Sequence, residues 1–287
     1  MGLRLVVVVM LVGPLMGWSQ GTLKRVYQPG EQIAYRMVGT NEMPQQTRHY
    51  EADVAGVVGK DDVEALQWRG LAVNGAAVPL SEGSQAFHER LSLAPGYKLA
   101  VPGLSAVQPM LIGPITDLLT FYADVQLAMR QPGLMKAGDH VVVAHGVPNS
   151  WADGAYTLLG QDSIDFDLTL FSLDARSGVA TLVVKHVPPK SPHIRLPAPW
   201  MAVPVGAGKN NWVQVQKTGP EQFIAGVGRE SFEAVIRVSL VSGSILSATL
   251  DNPVLVSERV CKDAALEDCG DATQYRIRRV ISLEAVK

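Results

Sequence analysis

From Gln32 onward, apolar and polar residues alternate with a period of two, segment after segment, and turn signals separate the segments. Such a pattern builds strands with one buried and one solvated face, and it excludes a helical bundle. In 163–172, Ile164, Phe166, Leu168 and Leu170 fall on one face, with Asp165, Asp167 and Thr169 on the other. A turn at 174–178 leads into 179–187, so these segments are expected to pair as a hairpin. Phe232, Ala234, Ile236, Val238 and Leu240 alternate likewise, and after Ser242-Gly243 the chain continues in 244–250. Earlier strands are expected at 32–38, 48–58 and 63–73. The last runs into Asn74-Gly75, a strong hairpin signal, followed by 76–80. In the final strand Tyr275, Ile277, Ile281 and Leu283 share a face that Arg279 interrupts, which points to a strand end or a wet cavity.

Closely spaced strands of this kind predict a mainly β protein, an antiparallel meander forming a curved sheet, barrel or sandwich. One stretch departs from the pattern. In 114–130, Ile115, Leu118, Leu119, Tyr122, Val125 and Met129 recur at helical intervals, which predicts one amphipathic helix. Pro114 suits its first turn, Asp117 its positive end and Arg130 its negative end, and Gln131-Pro132-Gly133 stops it. The stretch 188–204 holds Pro188, Pro189, Pro192, Pro197, Pro199 and Pro204, which excludes a central strand. It is expected to cross the surface in an extended form with Trp200 and Met201 packed inward.

The amino terminus assigns a compartment. Arg4 precedes an apolar run, Leu5 to Gly17, that is shorter than the roughly 20 residues a spanning helix needs. Small residues flank Trp18, so 1–19 is read as a signal peptide, cleaved before Gln20, leaving a single β-rich domain over 20–287. No later segment has transmembrane length. The expected location is the periplasm or the extracellular space. There, the only two cysteines, Cys261 and Cys269, are expected to form a disulfide, since neither C-x-x-C spacing nor nearby histidines suggest redox or zinc chemistry. Twenty-five basic residues against 27 acidic ones, with no basic cluster, argue against a nucleic-acid binder.

Catalytic signals are sparse. H-E-x-x-H, G-x-S-x-G and P-loop motifs are all absent. His145, Ser150 and Asp153 stand close together in a stretch read as a loop after a strand, and form the one hydrolase-like group. Turn chemistry accounts for the same residues. Asp162, Asp165 and Asp167 form the richest acidic group, a calcium candidate against the simpler reading of a solvated strand face. No cofactor is called for.

The favoured reading is a non-catalytic exported protein holding an apolar or lipid-like small molecule between sheet and helix. Its expected liners are Leu118, Leu119, Tyr122 and Val125 from the helix, and Phe166, Leu168 and Leu170 from the sheet. The same residues also serve as an ordinary filled core. The alternatives are a hydrolase using the His145–Asp153 stretch, and an envelope assembly module that binds another protein through a sheet edge. In layout, an exported meander with one apolar helix resembles periplasmic lipoprotein carriers and lipocalin-like folds. That likeness is architectural and transfers no residue.

Overall fold

The alternating segments form strands in the structure, a computed structural model that describes residues 23–100, 102–145, 150–153, 156–159, 164–187, 194 and 196–286. In chain order the strands are β1 (Gln32–Met43), β2 (Gln46–Val58), β3 (Glu64–Val73), β4 (Ala76–Ala77) and β5 (His88–Leu91). After these come β6 (His140–His145), β7 (Ser150–Asp153), β8 (Tyr156–Leu159), β9 (Ile164–Asp174) and β10 (Val179–Val187). The last five are β11 (Trp212–Gly219), β12 (Gln222–Glu230), β13 (Phe232–Ser239), β14 (Ile245–Cys261) and β15 (Thr273–Ala285). Two helices, α1 (Glu82–Ala86) and α2 (Pro109–Met129), interrupt them. All strand pairs are antiparallel, and they join into one 15-stranded sheet that does not close on itself. Of the three shapes compatible with a meander, the open curved sheet is the one adopted.

The expected hairpins are present. Asn74 and Gly75 both have positive φ, 50° and 78°, the backbone a two-residue hairpin turn requires. β9 pairs with β10, and β13 with β14. β14 is much longer than the expected 244–250 segment. Its first half pairs with β13, up to Asp251, and its second half with β12, from Val254. Only Ser231 separates β12 from β13, so the two form one kinked strand running the length of β14. At this kink the sheet forks: β13 continues to β10, β9 and β6, whereas β12 continues to β11, β8 and β7.

Each branch has its own apolar cluster. The larger packs β1, β2, β3, β9, β10, β13 and β15 around α2, with Leu111, Ile115, Leu118, Phe121 and Val125 of the helix fully buried. Tyr122 donates to Glu64 at the head of β3 and lies 3.1 Å from the Tyr35 hydroxyl of β1, while Gln126 donates to the Ser92 carbonyl. Such contacts on several sides show how far the sheet curls about the helix. α2 begins five residues before the expected start. Pro109 occupies the first turn and Pro114 lies inside the helix. Pro114 removes the bond to the Met110 carbonyl, which is tolerable because Met110 is exposed at the helix end. Asp117 is therefore not a dipole-facing residue of the first turn. It is buried and bonded across to the sheet.

The smaller cluster joins Met201, Val213, Ala225, Val227, Cys261 and Leu266. Met201 is fully buried in a 3-10 turn, Pro199–Ala202, and half-buried Trp200 donates its indole N–H to the Leu266 carbonyl. Asn210 fastens the turn by donating to the Met201 and Val203 carbonyls and accepting from the Val205 amide. Residues 188–193 and 195 of the proline-rich segment lie outside the described residues, as does the expected signal peptide. Cys261 and Cys269 are bonded. The bridge closes an eight-residue separation, and Asp263 organises the loop by accepting from the amides of Glu267 and Asp268. Reducing the disulfide is expected to cost about 2 to 3 kcal/mol by releasing unfolded-state entropy. Guanidinium titrations of the oxidised protein and of Cys261→Ala/Cys269→Ala check this, and equal midpoints would contradict it.

Candidate functional site

Leu118, Tyr122, Val125, Leu168 and Leu170 are almost wholly buried, and Leu119 and Phe166 pack against the same cluster. None of the seven expected liners borders the cleft described below. His145 ends β6, which pairs with β9, while Ser150 and Asp153 belong to β7, which pairs with β8. The stretch expected as a loop thus holds a short strand, β7, in which Trp151 pairs with Leu158 and Ala152 with Thr157. The side chains of His145, Ser150 and Asp153 lie outside the described residues, as does Asp162. Asp167 is partnered instead by His140, its Oδ1 lying 2.7 Å from Nε2, and its neighbour Asp165 is half-buried on the same strand.

Arg279 marks the place where the structure opens. A cleft of about 620 Å³ lies at the fork, between the first half of α2, the ends of β1 and β2, and the inner faces of β11, β14 and β15. Its apolar border includes Val73, Met110, Ile112, Trp212, Val254 and Ile277. Part of its polar border is a bonded chain. Arg279 donates to Asp117 of α2 at 2.5 Å and to the Asn252 side-chain oxygen at 3.3 Å. Tyr50 of β2 donates to the other Asp117 oxygen at 3.2 Å. At the far end, Asn252 donates to the Ser231 carbonyl at 2.7 Å and to Glu230 at 3.4 Å. Asn252 thereby ties the kink to the cleft. Arg279 shares a strand face with Ile281 and Leu283, and its charge is tolerated there because α2 brings Asp117 to meet it.

The electrostatics follow from this chain. Asp117 holds the Arg279 guanidinium above its ordinary value against the opposing effect of desolvation. Desolvation raises the Glu230 carboxyl, and the Asn252 hydrogen bond pulls it back only in part. Burial, reinforced by Asp117, keeps the Tyr50 phenol well above its usual range, so it remains a donor. The one hydroxyl-bearing aliphatic side chain on the border among the described residues, Thr116, donates to the Ile112 and Gly113 carbonyls within its own helix. Among the described residues, cysteine, serine and histidine are absent from the lining. The arrangement fixes charges and hydrogen-bonding groups in place beside an apolar wall, and it activates no nucleophile among the lining residues.

Arg279 as an anomaly within an apolar strand face was the one sequence signal for this site. Asn252, Glu230 and Tyr50 gave none, because residues so far apart in sequence meet only through the fork and the helix.

No protein-family model matches the chain, and no curated protein matches it. Among solved structures there is a likeness to in-vitro folded OmpT, an outer membrane protein of Vibrio cholerae. It has 6% identity over 89% of this chain and 97% of that one, with a TM-score of 0.15. Outer-membrane expressed OmpT of the same organism gives 8% identity, 92% and 100% coverage, and a TM-score of 0.14. Similarity at that level carries no argument. No described helix is long and apolar enough to cross a membrane.

Proposed function

We propose that this chain is an exported, non-catalytic protein that holds a lipid-like small molecule in the cleft at the fork. The observation that carries this reading is the pairing of an apolar wall with a fixed polar border in one cavity of about 620 Å³, within the range of small-molecule sites. The ligand lies beside the amino-terminal half of α2 and not beneath its centre, where side chains already fill the space. Export rests on the amino-terminal pattern of charge and apolar run.

Trp212 borders the cleft and serves as the reporter. Titrating the purified protein with dodecanoate is expected to change tryptophan fluorescence saturably, and Trp212→Phe to abolish most of that change. An unsaturable response to dodecanoate, dodecanol and lysophosphatidylcholine alike would refute the reading.

A further inference from the structure

Resting on the cleft reading above, we infer that the bound molecule is an amphiphile with an anionic head, received by Arg48. Among the described residues, four charged side chains border the cleft: Arg48, Asp117, Glu230 and Arg279. Asp117 and Arg279 are spent on each other at 2.5 Å. Glu230 accepts from Asn252 at 3.4 Å at the far end of the same bonded chain. Arg48 is left over. Its side chain is half-buried on the inner face of β2, in step with buried Tyr50, and makes no ion pair or hydrogen bond among the described residues.

An arginine withdrawn from water on one side and lacking a partner is costly unless something supplies an anion. Directly opposite, in the β1–β2 register, stands Asn41, whose side-chain oxygen is buried without a hydrogen-bond partner. Both residues border the cleft, but the Asn41 oxygen can only accept a hydrogen bond, so Arg48 alone supplies a charge for an anion there. The uncapped first turn of α2 borders it too and adds the positive end of a helix dipole. The unpaired Arg48 favours an anion, and Val73, Met110 and Ile112 favour an apolar chain attached to it.

The test compares ligands of equal chain length, each below its micelle concentration: dodecanoate, dodecyl phosphate, dodecanol and dodecyltrimethylammonium, with acetate and inorganic phosphate as tailless controls. Both dodecyl anions are expected to bind at least tenfold more tightly than dodecanol, and the cation most weakly. Arg48→Ala should bring anion and alcohol within about twofold, Arg48→Lys should keep the preference, and Arg48→Glu should reverse it toward the cation. Arg48 makes no internal bond, so melting temperatures should stay close to that of the parent protein. Should Arg48→Ala fail to fold, the ligand series on the parent protein and Arg48→Lys still decides. Equal binding of all four dodecyl ligands would overturn the anionic head and leave the cleft reading standing. Binding of acetate or phosphate as tight as that of the dodecyl anions would overturn the amphiphile. Binding of none of them would overturn both readings.

Discussion

Replacing Arg25 with methionine is expected to lower the unfolding free energy by about 3 to 5 kcal/mol near pH 8, and by clearly less near pH 5. Arg25 sits in the irregular stretch before β1, yet its side chain is fully buried. It donates to Glu31 at 2.9 Å, to Glu64 at 3.4 Å, and to the carbonyls of Val26 and Ser242. It therefore fastens the start of the chain to β3 on one side and to the β13–β14 turn on the other. Methionine keeps most of the apolar stem and removes every one of these bonds. The pH dependence comes from Glu64, which burial holds above the ordinary carboxyl value against the pull of Tyr122 and Arg25. Without Arg25 that pull weakens and the folded-state value rises further. A carboxyl raised on folding contributes stability that is complete below its unfolded value and is lost as pH rises through the folded one. The variant should thus be hurt most in the alkaline direction. Urea titrations of parent and variant at the two pH values measure this, and a pH-independent loss would show that Glu64 does not carry it.

Phe121→Ala is expected to cost about 3 to 5 kcal/mol, because it empties a fully buried ring position at the centre of α2. Arg48→Ala, on the same sheet but at the cleft, should leave stability nearly unchanged. The contrast separates core from site. It also bears on how α2 moves: with Leu118, Phe121, Tyr122 and Val125 buried on several sides, its middle turns should exchange amide hydrogens as slowly as β10 and β13. Exchange at the rate of the first turn would instead mark the helix as a gate, and would reduce the expected cost of Phe121→Ala with it.

Periodicity made the strands of the large branch readable, because a half-buried strand displays its two faces in its own residues, as buried Leu168 and Leu170, and buried Ala234, Ile236 and Val238, do. The same logic located α2 but misplaced its start. A proline near a helix terminus is ambiguous between first turn and interior, and the resolution depends on whether the freed carbonyl reaches water. The β12–β11 strands escaped notice because Gln214, Gln216, Gly226 and Gly228 blur the alternation. Gly228 stands where a side chain would collide with the Leu255 carbonyl at 1.8 Å, so close strand approach replaces an apolar residue there. The disulfide was legible from two cysteines in a chain read as exported, spaced unlike a redox or zinc motif. The cleft was legible at one residue, Arg279, because its other members become neighbours only through long-range pairing. Asp117 and Arg279 lie 162 positions apart.

The long strand β14 gives Ile245, Ala248 and Leu250 to one apolar cluster and Cys261 to the other. No single cut in the polypeptide separates those clusters into self-sufficient pieces. A protease nick anywhere along β14 would expose two ragged ladders of unpaired amides and carbonyls, each a template for sticking to another chain. Damage to the disulfide end would therefore travel along a shared strand to the helix end, so the molecule should disappear into aggregates as a whole instead of shedding a trimmed, still-folded fragment.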